Sequence, residues 1–425
     1  MTSISHASWS LLKKIGFRFS FSYFLLFVLY DLVTRFGSMI QLPFKPHHDF
    51  ILWVGQTIFK ISEERLVVMD NFVDTTFNYM ALLCIFIIAI IVALFWTFLD
   101  GKRQNYKSLY YWLRVVLRFY LGFIMVNYGL VKLVYLQFPE PSLYTLVNTY
   151  GNSSPMGLAW SFLGYSKGYN VFMGLAEVMS LCLFFRRTLT FGLFITLTVT
   201  LNVMAINFFY GVPLKMVTSH LVLITLFLMA PNFKSLVDFF FRKKNASLIV
   251  LEKPEFLNKK SRRKLLMAMR GLFIVLMFAL AAYKLNNRNT LLNGEFTKSK
   301  FYGIYDVLSF ESIGTKDSTN HRPKKSWKYL IMEYRGQVQL VDNENKVSWF
   351  SSSIDSLDRS IQIFNIDNST EPLLLRYERL TNDTIIFKGH INKDSTEITC
   401  RQLRKEDFLL MNSKFNLIND QPYIR

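Results

Sequence analysis

Residues 77–99 read FNYMALLCIFIIAIIVALFWTFL, a stretch without a single charged side chain. A helix needs about 20 apolar residues to cross the hydrocarbon core of a bilayer, and this stretch reaches that length. Other long apolar stretches lie at residues 17–37, 112–136, 169–185, 189–209, 214–233 and 266–283. The sequence therefore predicts a multi-span α-helical membrane protein with seven spans.

The charges lie in the gaps between these stretches. The chain has 49 Lys and Arg against 30 Asp and Glu, but residues 295–425 are nearly balanced with 19 basic and 18 acidic side chains. The excess falls in alternate gaps: before the first span, around Lys102, at Arg186 and Arg187, and in the linker 234–264. Cytoplasmic loops are enriched in Lys and Arg, so we expect a cytoplasmic amino terminus and, after seven spans, a carboxyl-terminal domain outside. The lipid bilayer is the expected partner, and a nucleic-acid partner is not needed to explain the charge.

The pattern divides the chain into four regions. We expect two spans joined by an outer interfacial segment in 1–105, a four-helix transmembrane bundle in 106–241, a basic cytoplasmic linker and the seventh span in 242–284, and a β-rich domain in 295–425. Within the bundle region, the Pro-, Gly- and aromatic-rich loop 138–168 is predicted to form an interfacial lid.

The β-rich domain shows eight short strand patterns separated by turn signals such as Arg335-Gly336 and Asn382-Asp383. This spacing is typical of an antiparallel meander or small barrel. The alternation of Leu373, Leu375 and Tyr377 predicts one inward face, and we expect an interior filled with side chains.

Cysteine and histidine spacing argues against several kinds of chemistry. The three cysteines, Cys84, Cys182 and Cys400, form no Cys-x-x-Cys motif, and the six histidines lack zinc spacing. We therefore expect no metal site and no thiol redox pair.

A polar cluster is predicted in the outer half of the bundle. Charged residues within a span are costly, and Glu177 and Lys132 lie at similar predicted depth on neighbouring spans. The candidate ligand-binding residues are Asn127, Tyr128, Lys132, Glu177, Asn202, Asn207 and His220. One interpretation is a pocket for the head of an amphipathic ligand such as a quinone, and the other is a structural ion pair with interhelical hydrogen bonds. Asp31 and Arg35, one helical turn apart, are expected to pair near the outer interface.

Several motifs resemble the DoxX-like membrane family over residues 106–241. They are Arg118-Phe119-Tyr120-Leu121-Gly122-Phe123, Tyr128-Gly129 with Lys132, Gly174-Leu175-Ala176-Glu177, and Arg186-Arg187. The flanking Asp74-Thr75-Thr76 and Asn207-Phe208-Phe209-Tyr210 are similar to long DoxX-like proteins of Bacteroidota.

The resemblance implies a four-helix bundle in a bacterial inner membrane, with a periplasmic β domain. It also implies roles for Arg118, Gly129, Lys132, Glu177 and Arg187, with Arg186 a topological residue. Some DoxX relatives are linked with a thiosulfate:quinone oxidoreductase or with membrane redox complexes. The expected function is therefore binding of a quinone-like or other lipophilic molecule, or service as a membrane subunit of a redox complex.

No cofactor is evident, so a quinone would be bound noncovalently, and a redox or envelope protein is the expected partner. Whether the protein is an enzyme stays open. The alternative is a noncatalytic envelope assembly or stress-response protein that presents the β domain.

Overall fold

The chain folds into two units, each described here by itself. The computed structural model describes residues 8–40, 45–68, 73–245, 247–248, 254, 257, 259–295, 297–313, 327–365, 372–391 and 394–412. The first unit is Met1–Phe138 with Ser166–Ala281, and the second is Pro139–Tyr165 with Ala282–Arg425. Parts of the predicted interfacial segment, 41–44 and 69–72, and of the predicted basic linker, 249–253, lie outside the described residues.

The first unit is formed by helices, and the second unit also contains some helices. In chain order they are α1 (Leu11–Ile40), α2 (Lys45–Trp53), α3 (Thr76–Leu99), α4 (Lys107–Leu133), α5 (Leu143–Val147), α6 (Pro155–Tyr165), α7 (Lys167–Val178), α8 (Leu189–Phe209), α9 (Lys215–Met229), α10 (Phe233–Phe240), α11 (Lys260–Glu295) and α12 (Leu409–Asn412). A π-helix, Val54–Ile58, continues α2, so a short helical segment lies in the predicted interfacial region. The multi-span character is confirmed, because six described helices are long and apolar enough to cross a membrane.

The predicted span 169–185 is not one continuous α-helix, and it is not among the six described helices that are long and apolar enough to cross a membrane, where seven spans were expected. It consists of α7 followed by a 3₁₀ helix, Met179–Phe184. The tighter coil begins where Ser180 exchanges a hydrogen bond with Thr196 of α8 at 2.9 Å. A side chain at Gly192 of α8 would lie 2.9 Å from Cys182 Cβ, so the close approach of the two segments requires glycine there. At about 1.5 Å per α and 2.0 Å per 3₁₀ residue, the two helices together extend roughly 30 Å.

The core of the first unit lies around α4, α9 and the part of α1 from Phe17 to Val28. Fully buried residues such as Phe27, Leu117, Leu121 and Ile224 form one apolar cluster. Within the predicted bundle, α4 neighbours α7 and α9, and α8 also neighbours α7 and α9; α1 contributes to the same core. The described bundle region is therefore packed against α1 rather than standing alone.

Arg18 ties the beginnings of α1 and α4 to the end of α3. It is 1% exposed, and its guanidinium donates to Tyr106 Oη, Thr97 Oγ1 and the Asp100 carbonyl at 2.6 to 3.0 Å. Tyr106 in turn donates to Asp100 Oδ2 at 2.9 Å. Every nitrogen of this buried guanidinium has a partner, as the cost of an unmet buried donor requires.

The second unit contains a closed antiparallel barrel of eight strands, as predicted. Its strands are β1 (Lys298–Ile313), β2 (Trp327–Tyr334), β3 (Gln337–Asp342), β4 (Val347–Asp355), β5 (Ser360–Asn365), β6 (Leu373–Arg379), β7 (Thr384–Ile391) and β8 (Asp394–Leu403). Strands follow sequence order, and β8 closes the barrel on β1 through pairs such as Phe310 with Ile398.

Side chains pack the interior of the barrel. Tyr305, Phe387 and Cys400 are each 0% exposed within one apolar cluster. Leu375 is buried while Arg376 is exposed, so the predicted inward face of β6 is present. This alternation is what a closed sheet with one wet face requires.

Residues 139–165 pack with the barrel and not within the helical bundle. Leu143 of α5 is fully buried together with Ile304, Ile331 and Val341 of the barrel strands. Its backbone N–H donates to Glu333 Oε1 at 3.2 Å, and Lys405 pairs with Glu140 at 3.6 Å. The loop predicted as an interfacial lid of the bundle, within a domain 106–241, thus belongs to the second unit.

Candidate functional site

Two glycines bring α4 and α7 into backbone contact. A Cβ at Gly129 would meet the Gly174 carbonyl oxygen at 2.7 Å, and a Cβ at Gly174 would meet the Gly129 carbonyl oxygen at 2.8 Å. Small residues at a helix crossing allow this approach within a membrane. Lys132 and Glu177 each follow one of these glycines by three residues. Because Cα–Cβ bonds lean toward the start of a helix, both side chains lean back toward the crossing.

Lys132 and Glu177 form a buried ion pair, as the sequence predicted. Lys132 Nζ lies 2.7 Å from both Glu177 Oε1 and Oε2. The two side chains are 5% and 3% exposed. The ammonium also lies 5.8 Å from the centroid of Phe138 and 6.0 Å from that of Tyr128. Both carboxylate oxygens are occupied by the same ammonium, an arrangement that joins α4 to α7.

His220 of α9 does not join this pair. Its Nδ1 lies 2.7 Å from the Met216 carbonyl oxygen, which can only accept, so Nδ1 carries the proton. Its Nε2 is hydrogen-bonded to Tyr23 Oη at 2.7 Å. The ring stacks on Phe27 of α1 with centroids 4.0 Å apart. His220 therefore contacts Tyr23 and Phe27 of α1 and the backbone of its own helix α9.

Asp31 organises a second polar network inside the first unit. It is fully buried and its Oδ2 accepts from Arg35 Nε at 2.7 Å and from Tyr120 Oη at 2.8 Å. Arg35 also donates to Tyr128 Oη at 3.3 Å. Among the described residues, Asp31 Oδ1 has no hydrogen-bond partner. The predicted Asp31–Arg35 pair is therefore part of a network that also includes α4.

The remaining predicted residues lie apart from one another. Asn127 donates to the Phe123 carbonyl one turn earlier on its own helix. Asn207 donates to Thr218 Oγ1 and to the Leu214 carbonyl, both at 3.3 Å, and joins α8 to the start of α9. Asn202 is exposed on α8.

Lys215 at the start of α9 is held by Asp74. The Asp74 carboxylate accepts from the backbone N–H groups of Lys215 and Met216 at 2.7 and 3.0 Å, and pairs with Lys215 Nζ at 3.5 Å. A carboxylate at this end of a helix is stabilising because the first N–H groups lack intrahelical partners.

A lateral groove between α1, α4 and α11 is the largest of the cavities described here. Its volume is about 810 Å³. Its lining is apolar apart from Tyr120 and Arg270, and includes Val28, Leu32, Val116, Phe119, Phe123, Phe273 and Leu280. The Tyr120 hydroxyl connects this groove to the Asp31 network. A groove of this size and polarity suits an apolar ligand or chain.

Arg118, Arg186 and Arg187, predicted as structural or topological residues, line two smaller cavities near the start of α4. These cavities have volumes of about 340 and 470 Å³. Lys132, Glu177 and His220 line none of these three cavities.

Sequence reasoning found the Lys132–Glu177 contact but missed the partners in α1. Two hydrogen bonds to α1 gave no local signal: that between His220 and Tyr23 of α1, and that between Tyr120 of α4 and Asp31 of α1. Each joins residues more than 80 positions apart. Tyrosines in spans are also frequent lipid-interface residues, which concealed their role.

No group of three or more His, Cys, Asp or Glu placed to hold a metal ion occurs among the described residues. The three cysteines are free.

Comparisons with known proteins place the chain near one protein of undetermined role. No family model matches the chain. The chain is 29% identical over 115 residues to the uncharacterized protein YwoB of Bacillus subtilis (strain 168). The aligned region covers 26% of this chain and 71% of YwoB. No solved structure matches.

Proposed function

We propose that this is a DoxX-like protein of the bacterial inner membrane that binds a lipophilic small molecule, of quinone or lipid type, in the lateral groove between α1, α4 and α11. The observation that carries the proposal is the groove of about 810 Å³. Ligand pockets commonly span about 300 to 1,000 Å³ with mostly apolar linings and few polar groups.

The ligand hypothesis rests on the groove and not on the predicted polar cluster. Lys132 and Glu177 are each nine-tenths buried or more and satisfy one another, so their geometry favours the structural interpretation. His220 has both ring nitrogens engaged. By contrast Tyr120 lines the groove and touches Asp31, which gives the apolar surface one polar group for orientation.

The packing of residues 139–165 supports the proposed topology. This segment follows α4, and it packs with a barrel that follows α11, so both must lie on one side of the membrane. Four crossings separate them if α7 with its 3₁₀ continuation crosses, and three if it does not. Only an even number returns the chain to the same side, which supports seven crossings. With the basic amino-terminal end in the cytoplasm, the barrel lies in the periplasm.

The alternative function is noncatalytic presentation of the barrel, alone or with a redox or envelope protein partner. It is favoured by the saturated Lys132–Glu177 pair and by the packed barrel interior. In that case the helices serve as an anchor and nothing binds in the groove.

The test is to fill the groove and measure what co-purifies. Val116 lines the groove and is 38% exposed, whereas Val92 of α3 is 40% exposed and does not line it. The full chain, V116W and V92W are extracted with their native lipids by an amphipathic polymer, and bound quinones and lipids are quantified by mass spectrometry against the bulk membrane. We expect enrichment of one lipophilic species in the wild type and in V92W and its loss in V116W. Equal composition in all three proteins contradicts groove binding and leaves the anchor function.

A further inference from the structure

The two smaller cavities near the start of α4 are lined by arginine. Arg114, Arg118, Arg186 and Arg187 line the cavity of about 340 Å³. Arg118, Arg186 and Arg187, together with Arg263 and Arg270, line the adjoining cavity of about 470 Å³. Among the described residues that line either cavity there is no Lys, Asp or Glu. The cavities therefore carry concentrated positive charge of one chemical type.

Membrane topology does not by itself explain this arrangement. The rule for cytoplasmic loops requires charge, which exposed lysine supplies as well as arginine. Arg114 is only 6% exposed, and the hydrogen bond that it makes is a long one of 3.4 Å to Tyr110 Oη, with that ring 5.7 Å away. Arg118 Nε is buried without a hydrogen-bond partner among the described residues. A buried guanidinium without an anion is costly.

Arg18 provides the contrast within the same molecule. It is also buried near the inner ends of the helices, and all of its guanidinium nitrogens are hydrogen-bonded to α3 and to Tyr106. Among the described residues, Arg114, Arg118, Arg187 and Arg270 make no ion pair, unlike Arg35, which pairs with Asp31. Arg114 and Arg270 each make one long hydrogen bond of 3.4 Å, to Tyr110 Oη and to the Phe184 carbonyl, and Arg118 Nε makes none among the described residues. Unlike the guanidinium of Arg18, these three guanidiniums therefore keep N–H donors for a ligand.

The anion that fits is a phosphate. The planar guanidinium fork matches phosphate oxygens with two parallel hydrogen bonds, and arginine is preferred over lysine for that geometry. The first residues of α8, Leu189 and Thr190, also line the smaller cavity, so the positive end of a 21-residue helix forms part of its wall. Several arginines around one cavity suit a head that carries two or more negative charges.

The larger arginine cavity adjoins the lateral groove. Trp112, Phe119, Leu266 and Arg270 line both. Along α4 the groove lining runs on from the shared residues as far as Phe123, roughly 16 Å from Trp112 at 1.5 Å per residue. A charged head in the arginine cavities would thus be continuous with an apolar chain in the groove.

We propose that the arginine cavities bind the terminal phosphate or diphosphate of an amphiphile whose hydrocarbon chain lies in the lateral groove. This inference rests on the proposed groove function and assigns the head-group class of its ligand. Under the topology above, the head lies at the cytoplasmic end of the helices. The charge of the cavities complements the head, and the apolar lining of the groove complements the chain.

The test varies the head group while the chains stay constant. The purified full-length protein is titrated in detergent with dioleoyl phosphatidic acid, dioleoyl phosphatidylglycerol, dioleoyl phosphatidylcholine and inorganic phosphate, and bound species are counted by native mass spectrometry. We expect phosphatidic acid, with its terminal phosphate, to bind roughly tenfold or more tightly than phosphatidylcholine. R114Q/R118Q is expected to lose this preference and to retain phosphatidylcholine binding.

The matched control is K243Q/K244Q. It removes two charges from exposed positions near the end of α10 that line neither cavity. It is expected to behave like the wild type. If R114Q/R118Q does not fold by size-exclusion chromatography, R187Q/R270Q tests the same cavities at less buried positions.

Three outcomes overturn the inference. One is an equal loss of the phosphatidic acid preference in K243Q/K244Q, which indicates nonspecific charge attraction. Another is equal affinity for all three lipids, lowered by V116W and unchanged by R114Q/R118Q. This result supports lipid binding in the groove and contradicts the head-group assignment. The third is arginine-dependent binding of inorganic phosphate without lipid binding, which assigns the cavities to a free anion. Absence of binding of any lipid by the wild type contradicts the groove function itself.

Discussion

Removing one partner of the Lys132–Glu177 pair is expected to destabilise the helical unit strongly. In K132M, the Glu177 carboxylate stays 3% exposed and loses both of its 2.7 Å hydrogen bonds. Loss of one partner from a buried ion pair costs about 3 to 5 kcal/mol, and burial this complete leaves little solvent screening to reduce it. E177M strands the ammonium in the same way and is expected to cost a similar amount.

The double variant K132M/E177M distinguishes the interaction energy of the pair from the effect of removing each residue alone. With both groups apolar and of similar length, no charge is left buried alone, so K132M/E177M is expected to be within about 2 kcal/mol of the wild type. The resulting interaction energy, about 3 kcal/mol or more, exceeds the roughly 0.6 kcal/mol average for hydrogen bonds between membrane helices. The free energy of unfolding is measured in mixed micelles at increasing mole fraction of dodecyl sulfate, with L94M at a 62% exposed position of α3 as control. Additive single effects, or a stable K132M, would refute the argument that the pair joins α4 to α7.

Three further variants test other contacts. G129A is expected to destabilise the helical unit, because its Cβ would meet the facing carbonyl oxygen at 2.7 Å, whereas G271A has nothing within 4 Å and is expected to gain about 0.5 to 1 kcal/mol in the same unfolding assay. L143A is expected to cost about 2 to 5 kcal/mol and to increase protease cleavage within 139–165, because Leu143 is fully buried against the barrel. Burial raises the pKa of the Glu333 carboxyl above its ordinary value near 4.5, so this group stabilises the folded barrel at low pH and loses that contribution as pH rises through the raised value. E333Q is therefore expected to slow thiol labelling of the buried Cys400 at neutral pH and to equal the wild type below about pH 4, whereas a constant ratio across pH contradicts this linkage.

Local pattern was sufficient for the barrel and for most of the spans. The uncharged run of α3 is unambiguous because its length alone matches a bilayer. The strands were recognisable because short alternating runs ended at turn residues such as Arg335-Gly336, and these bound β2 and β3 in the structure. Each of these signals lies within about 25 residues of sequence.

The Lys132–Glu177 contact, across 45 residues, was predicted, but contacts between more distant segments were not. The hydrogen bond between Leu143 and Glu333 joins residues 190 positions apart, and that between Asp31 and Tyr120 joins residues 89 apart. The 3₁₀ continuation of α7 depends on the approach of Cys182 to Gly192, for which an apolar run gives no indication. The arginines of the two cavities could be interpreted from the sequence only as topological charges. Arg114 differs from a cation of an exposed loop by its burial, which the sequence does not indicate.

The insertion of residues 139–165 into the barrel unit has a consequence for biogenesis. Leu143 leaves the ribosome long before β8, which ends at Leu403, 260 residues later. At about 5 to 20 residues per second this delay is on the order of 10 to 50 seconds, during which the segment lacks its partner surface. A chaperone that binds apolar segments would act in that interval, and a premature stop codon anywhere in the barrel would leave this segment without its partner surface.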